Sequence, residues 1–513
     1  MKRFILLLLF AIIFVNSYAQ EYRTQIINKK VKDFSFDNDF STPLKAFVSF
    51  QYLMANGKLS EMFNKSTIRF HKIGDKGQSD KVPTQEFISR LLNSEIKKII
   101  TYCDSVASVV CLEQDSIYTC RDLYLEQGIW VNAGEGGGDL KGIEDNIYKY
   151  SPLKLLKVRK TEKILKTPTD TMAFINFLKE NGKEPKQFLL EALATHKLVI
   201  YGERHRRELS WQLLKDVVND PTFPKITGTV FMELQSDKQS VIDRFFNNTE
   251  RMDSSILIGI YQDMQSNGWF DRGGFEFLIN MWKLNKRLPD KEKIKVIFAD
   301  FQPPIRQIKT KEEWQKCLND TIKRNTNMAN VIEKTIKSST DSRNNLFIVG
   351  YGHAYKSSAI GEDNESPEGD HSAANQLVKR FSDKDVFCTR VHTSGINGYT
   401  RGGMFDYSFA QNGGKPVAFK LKGSPFGKEI IEEWAYEKDD FGSFENNYDG
   451  YIYFGGEPID MQKEYRLSDI YTEDFVKEII RRAYLMGKEN EEWFGVPNKS
   501  LTLEALLKDL NDI

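Results

Sequence analysis

The sequence is poor in the features that announce a function by themselves. Its five cysteines include no CxxC pair, which excludes a zinc ribbon, and no CxxCH, which excludes covalent haem attachment. Basic and acidic residues balance at 72 each, so the charge does not point to nucleic acid. After residue 19 no apolar run is long enough to span a bilayer. A GxSxG elbow is absent, which removes a serine nucleophile on a strand-to-helix turn. The glycine cluster NAGEGGGDLKG (132–142) is not followed by Lys-Ser/Thr, so it is not a phosphate-binding loop; it reads as a surface loop. Tandem repeats are absent.

The N-terminus does carry a signal. Lys2 and Arg3 precede an apolar run from Phe4 to Val15, and Ser17-Tyr18-Ala19 supplies small residues at a cleavage position. This is the pattern of a secretory signal peptide over 1–19. Position 20 is Gln rather than Cys, which argues against a lipid-anchored start. The expectation is an exported chain, periplasmic or extracellular, with no transmembrane segment in its mature part. Its partner would be a small-molecule or peptide substrate.

Residues 20–150 read as a small α+β domain with an extended lead-in over 21–40. Thr42 and Pro43 open a helix and Gly57 stops it, and a second helical pattern runs from Thr84 to Tyr102. The runs SVASVVCLEQ, SIYTCRDLYLEQG and IWVNAGEG read as a strand meander. A two-residue turn at Asp115-Ser116 would set Cys111 opposite Cys120 in a close, non-hydrogen-bonded pair, which predicts a disulfide in an oxidising compartment. The opening helix and the strand IWVNAGEG resemble the SnoaL-like cone fold, which implies an accessory domain.

From about 165 to 490, strands and helices alternate, the mark of a layered α/β domain; residues 491–513 read as a helical tail. Helices are expected over 170–190 and 310–338, and the acidic stretch GEDNESPEGD (361–370) as a loop near the crevice mouth. Four segments here run apolar and then stop on an ionisable residue: LVIYGERH (198–205), TVFMEL (229–234), KVIFAD (295–300) and LFIVGYGH (346–353). In open α/β sheets the carboxyl ends of the strands form the ligand crevice. Four such ends would gather Glu203, His205, Glu233, Asp300 and His353 there. Strand alternation puts Glu203 and His205 on one face. A carboxylate beside an imidazole orients the ring and raises its basicity. With His353 the pair is equally a candidate ligand set for a divalent metal. Arg204, Arg206 and Arg207 crowd the first exit, as a solvated patch or as an anion clamp.

The order GExH, strand-Glu, strand-Asp and GxxH resembles the erythromycin-esterase-like family, within the wider Tiki and haem-uptake (ChaN-like) superfamily, over roughly residues 170–460. GFEFLINMWKLNKRLPDKEKIKVIFADF (274–301) and NNYDGYIYFGGEP (446–458) add to the likeness. The resemblance implies a layered mixed sheet with flanking helices and a site lined by Glu203, His205, Glu233 and His353. The esterase pattern reads GExxHG, whereas this chain has GERH followed by Arg206, closer to the Tiki and ChaN-like form. Two functions follow as expectations. One is hydrolysis of an ester or amide by water activated at the His/Glu cluster, with or without a divalent metal, and with Arg207 or Tyr351 at an oxyanion. The other is non-covalent haem binding, with His353 or Tyr351 as axial ligand and the arginines on propionates.

Overall fold

The structure is a computed structural model, and it describes residues 22–65, 83–114, 117–126, 128–166, 171–205, 207–248, 250–264, 272–319, 324–357, 371–392, 404–429, 431, 442–455, 468–491 and 496–511. The signal-peptide segment 1–19, the turn at 115–116, Arg206 and the acidic stretch 361–370 lie outside the described residues.

The first five strands form one antiparallel meander in chain order: β1 (Tyr22–Lys30), β2 (Glu95–Tyr102), β3 (Val106–Gln114), β4 (Ile117–Glu126) and β5 (Ile129–Gly138). Alternation along β3 explains why both faces are covered. Ala107, Val109 and Cys111 pack with Phe47, Phe50 and Leu53 of α1 (Pro43–Ala55). Helix α1 starts as its sequence predicts: the Thr42 hydroxyl accepts from the Lys45 N–H and Pro43 occupies the first position. Helix α2 (Gln85–Asn93) is capped in the same way by Thr84. Val106 and Val110 face the other side. There α3 (Leu140–Lys166) lays down Ile143, Ile147, Leu155 and Val158, one helical stripe.

Three sequence expectations change here. Residues 95–102 continue as a strand, not as helix; Ile96, Ile99, Ile100 and Thr101 are β-branched and find partners on both β1 and β3. The glycine cluster is not a surface loop: Asn132 to Gly138 extend β5, paired with β4 up to Tyr118↔Gly138. The lead-in is a paired edge strand over Tyr22–Lys30.

The predicted disulfide is also corrected. Gln114 does pair with Ile117, but Leu112 then pairs with Tyr118, because a one-residue irregularity at Glu113 slips the register. A slip of one residue sends side chains to opposite faces. Cys111 pairs with Thr119 and sits under α1, while Cys120 pairs with Val110 and sits under α3. Both thiols are free and buried, and burial pushes Cys120 up to about 12.

The second sheet has seven strands in the order β11-β12-β10-β6-β9-β7-β8. They are β6 (Leu198–Glu203), β7 (Thr227–Gln235), β8 (Lys295–Asp300), β9 (Asn344–Gly350), β10 (Val386–Val391), β11 (Val417–Lys420) and β12 (Gly450–Tyr453). All neighbours are parallel except β11 on β12. Parallel strands covered on both faces read as unbroken apolar runs; every residue of β6, β7 and β10 is buried. In β6, Val199 and Tyr201 face one core with α5 (Pro185–Thr195), α6 (Glu208–Val218) and α7 (Arg272–Arg287). Leu198 and Ile200 face the other with α4 (Thr171–Asn181), α8 (Arg324–Ser338) and α9 (Ala373–Arg380). The result is the layered α/β sheet expected from the sequence, and among the described residues no helix is long and apolar enough to cross a membrane.

Denaturing alkylation without reductant is expected to label Cys111 and Cys120 separately in peptide mass mapping; a peptide pair joined through them would contradict the slipped register.

Candidate functional site

Strand order makes the site. The neighbours β6, β9, β7 and β8 end at the same edge, with Glu203 in register with Gly350 and Gln235 with Asp300. Between Met232 and Gln235 strand β7 carries an extra residue relative to β8. Such a bulge re-aims a side chain at a sheet end, and the residues inside it are Glu233 and Leu234.

Glu233 is 2% exposed and its carboxylate is fully engaged. Oε1 accepts from Arg324 Nη2 at 2.6 Å and lies 3.3 Å from His353 Nε2, and Oε2 accepts from the Gly350 N–H at 2.8 Å. Arg324 reaches Asp300 as well, donating from Nε at 3.0 Å to Oδ1 and from Nη2 at 2.9 Å to Oδ2. Burial by itself pushes the Glu233 carboxyl up, but His353, Arg324 and His205 together hold it well below the usual carboxylate range. Asp300, fully buried, is pushed up by that burial against the pull of Arg324.

The protonation of His353 follows from its other nitrogen. Asn325 Oδ1 accepts the Ala373 N–H at 3.1 Å, so the atom facing His353 Nδ1 at 2.7 Å is an acceptor. Nδ1 therefore carries a proton. Nε2 then faces the Glu233 carboxylate, which favours a second proton there. As imidazolium, His353 joins Arg324 in setting two cations beside the buried carboxyl groups of Glu233 and Asp300.

His205 stands beside this quartet. Its Nδ1 is 2.6 Å from Glu203 Oε1, an ion-pair distance without hydrogen-bond alignment. Glu203 is 1% exposed, whereas the His205 side chain is 37% exposed. A methyl group on Gly350 would meet both Glu233 Oε2 and His205 Cε1 at 3.3 Å. The missing side chain at 350 is what lets the imidazole and the buried carboxylate approach across the strand end.

All five strand-end residues named from the sequence thus meet at one edge. Three named companions play different parts. Arg390 at the end of β10 lays its guanidinium over the Tyr351 ring, 4.1 Å from its centre, and Tyr448 Oη donates to the Tyr351 carbonyl at 3.4 Å. Tyr351 is thereby a packed ring. Arg207 is buried at the start of α6, and Arg204 is half-buried. The metal set Glu203, His205 and His353 is not assembled: among the described residues no three His, Cys, Asp or Glu side chains have a geometry that would hold an ion. His353 is turned instead onto Glu233 and Asn325.

Arg324, Asn325 and Arg390 escaped the sequence reading. A signal existed for Asn325: it precedes Met328, Ala329, Ile332 and Ile336 on the buried stripe of α8, so an amide on that stripe needed a polar partner. Arg324 was readable only as the cation that buried Glu233 and Asp300 demand.

No family model and no curated protein match the chain. Solved structures with a related chain path include a succinoglycan biosynthesis protein, at 10% identity over 56% of this chain and 97% of that one, TM-score 0.42. A Bacillus cereus protein matches at 13% over 56% and 97%, TM-score 0.38. ChaN of Campylobacter jejuni, solved for its cofacial haem binding, matches at 14% over 40% and 85%, TM-score 0.27. Likenesses of this depth carry no argument about this chain.

Replacing Glu233 by Gln leaves Arg324 and His353 short of a counter-charge and is expected to cost roughly 3–5 kcal/mol in urea unfolding. Because the folded-state value of Glu233 is depressed, its contribution is complete above the unfolded Glu value of about 4.3 and drains away as pH falls. Wild type should therefore lose more stability than Glu233→Gln between neutral and acid pH; parallel losses would remove the charge-balance account.

Proposed function

We propose that the chain is a hydrolase in which His205 activates water against an ester or amide. The observation that carries this is the contrast within one pair: a buried carboxylate, Glu203, 2.6 Å from Nδ1 of a ring that is 37% exposed. A carboxylate at Nδ1 favours the tautomer with the proton there and leaves Nε2 as the basic nitrogen. A solvent-facing imidazole with an unprotonated Nε2 is what general-base attack by water requires. Glu203 is then a positioning residue and His205 the base. Arg324, whose side chain is 40% exposed while its guanidinium anchors on Glu233 and Asp300, supplies a fixed cation for the developing oxyanion. His353 holds Glu233 in place, and Glu233 in turn holds Gly350 and Arg324. Among the described residues Glu203, His205 and His353 do not form a ligand set for an ion, so the proton is taken by His205 itself.

Haem binding has less support in the same geometry. Both nitrogens of His353 face partners, and the Tyr351 ring is stacked under Arg390; an axial bond from either would have to dismantle those contacts. The signal-peptide pattern of residues 1–19 supports placing the activity outside the cytoplasm.

A panel of chromogenic esters and anilides should reveal turnover in the purified chain. His205→Ala is expected to lower kcat by about 100-fold or more, and Glu203→Gln to lower it while moving the alkaline-rising limb of the pH profile. Rates unchanged in both variants would end the proposal. A Soret band formed with haemin and lost in His353→Ala would turn it toward the haem reading.

A further inference from the structure

The opposite edge of the same sheet holds a cavity that the strand-end chemistry does not use. It is about 360 Å³ in volume and lies where β6 and β10 begin, between the helix pair α4 and α5 and the end of the antiparallel strand β11. Its shape has a local cause. After α4 the chain doubles back at Gly182, where a Cβ would collide with the Leu178 carbonyl oxygen and Val417 Cγ2, both at 2.5 Å. Lys183 is then pinned to Ala418 by two backbone hydrogen bonds of 2.8 Å, before Pro185 starts α5. The two helices and β11 are thus fixed around a gap that none of their side chains fills.

The lining divides by chemistry. The floor is aromatic: Phe188 and Phe387 lie 5.9 Å apart, Phe177 meets Phe419 edge-on at 5.5 Å, and the His196 ring packs 4.7 Å from Phe387. The rim is cationic. Lys183 is paired with Glu191, the one acidic residue of the lining. Lys420 and Lys422 are exposed and form no ion pair among the described residues. Two uncompensated lysines therefore stand over an aromatic floor in a chain with no net charge. The Lys183 ammonium holds Glu191 below the usual carboxylate range, with a smaller pull from Lys420.

We infer that this cavity is a second binding site, and that its ligand is a small planar aromatic anion whose ring lies on the phenylalanine floor and whose charge meets Lys420 and Lys422. A volume of this size suits a ligand of one or two fused rings. Edge and offset contacts between rings favour an aromatic over an aliphatic body. The site is remote from the water-activating pair: Glu203 ends the strand that Leu198 begins, so the two openings lie at opposite ends of β6. It stands independently of the hydrolase reading.

Fluorescence titration with naphthalene-1-sulfonate, a planar fused-ring anion, tests it on the intact mature chain. Saturable binding at one site per chain is expected, weakened at least tenfold by the double charge reversal Lys420→Glu with Lys422→Glu. Both lysines are exposed, so the fold should persist, and circular dichroism checks this. Naphthalene, the same rings without the sulfonate, should lose no affinity in that variant. A second variant, Thr195→Trp, places a ring at the exposed lip of the cavity and should also abolish saturable binding, while His205→Ala should titrate as wild type. Absent binding, or affinity unchanged in the charge-reversed chain, overturns the assignment. Affinity lost in His205→Ala instead would place the probe in the strand-end crevice and overturn it equally.

Discussion

The Glu233 carboxylate is the interaction on which the strand-end site rests. One oxygen is shared by Arg324 and His353, and the other is held by the Gly350 N–H. Those three partners come from α8, the turn after β9 and the end of β9 itself. A buried carboxylate costs several kcal/mol unless it is paired and hydrogen-bonded, so the fold can keep Glu233 only if all three elements arrive together. That requirement fixes the approach of α8 to the sheet, and with it Asp300, which shares the same arginine. The bulge in β7 is the backbone adjustment that makes this convergence possible.

Charge balance then decides which side chains are left for chemistry. Burial pushes Asp300 up, whereas Glu233 is held ionised by Arg324 and by His353, which is itself clamped between Glu233 and Asn325. His353 is therefore consumed by structure, although its Gly-flanked place after β9 mirrors that of His205 after β6. His205 differs in one respect, exposure. It meets the buried set across Gly350 and faces solvent with over a third of its side chain. The two histidines look equivalent in the sequence and are separated by their neighbours.

This is also the measure of what could be read in advance. Apolar runs with both faces covered identify parallel strands directly, and the polar residue closing each run marks its carboxyl end. Glu203, Glu233, Asp300 and His353 were legible for that reason. Strand order was not: nothing in the runs says that β9 inserts between β6 and β7, yet that insertion brings His353 and Gly350 between Glu203 and Glu233. Bulges were not legible either, since a single extra residue at Glu113 leaves the hydrophobic pattern intact and moves two cysteines to opposite faces. Helix-borne partners such as Arg324 and Asn325 lay outside a reading built on strand ends. The stretch 95–102 failed for a related reason. Lys97 and Lys98 break its alternation, and pairing with β1 and β3 adds to the β-branched residues in selecting extended backbone there.

The two edges of the seven-stranded sheet illustrate one rule from opposite sides. At the carboxyl edge the loops return polar groups inward, and the buried charges find partners from three elements. At the amino edge α4 and α5 are held apart by the pinned Lys183 turn, so aromatic rings line a gap and the lysines stay at its rim. Desolvating an unpaired ammonium is too costly for it to collapse inward, which is why Lys420 and Lys422 remain in solvent over an apolar floor. A gap with that division of chemistry is stable without a ligand only because its charges never leave water. An anion carrying an aromatic ring would satisfy both parts at once, covering the floor and meeting the charge where it already lies.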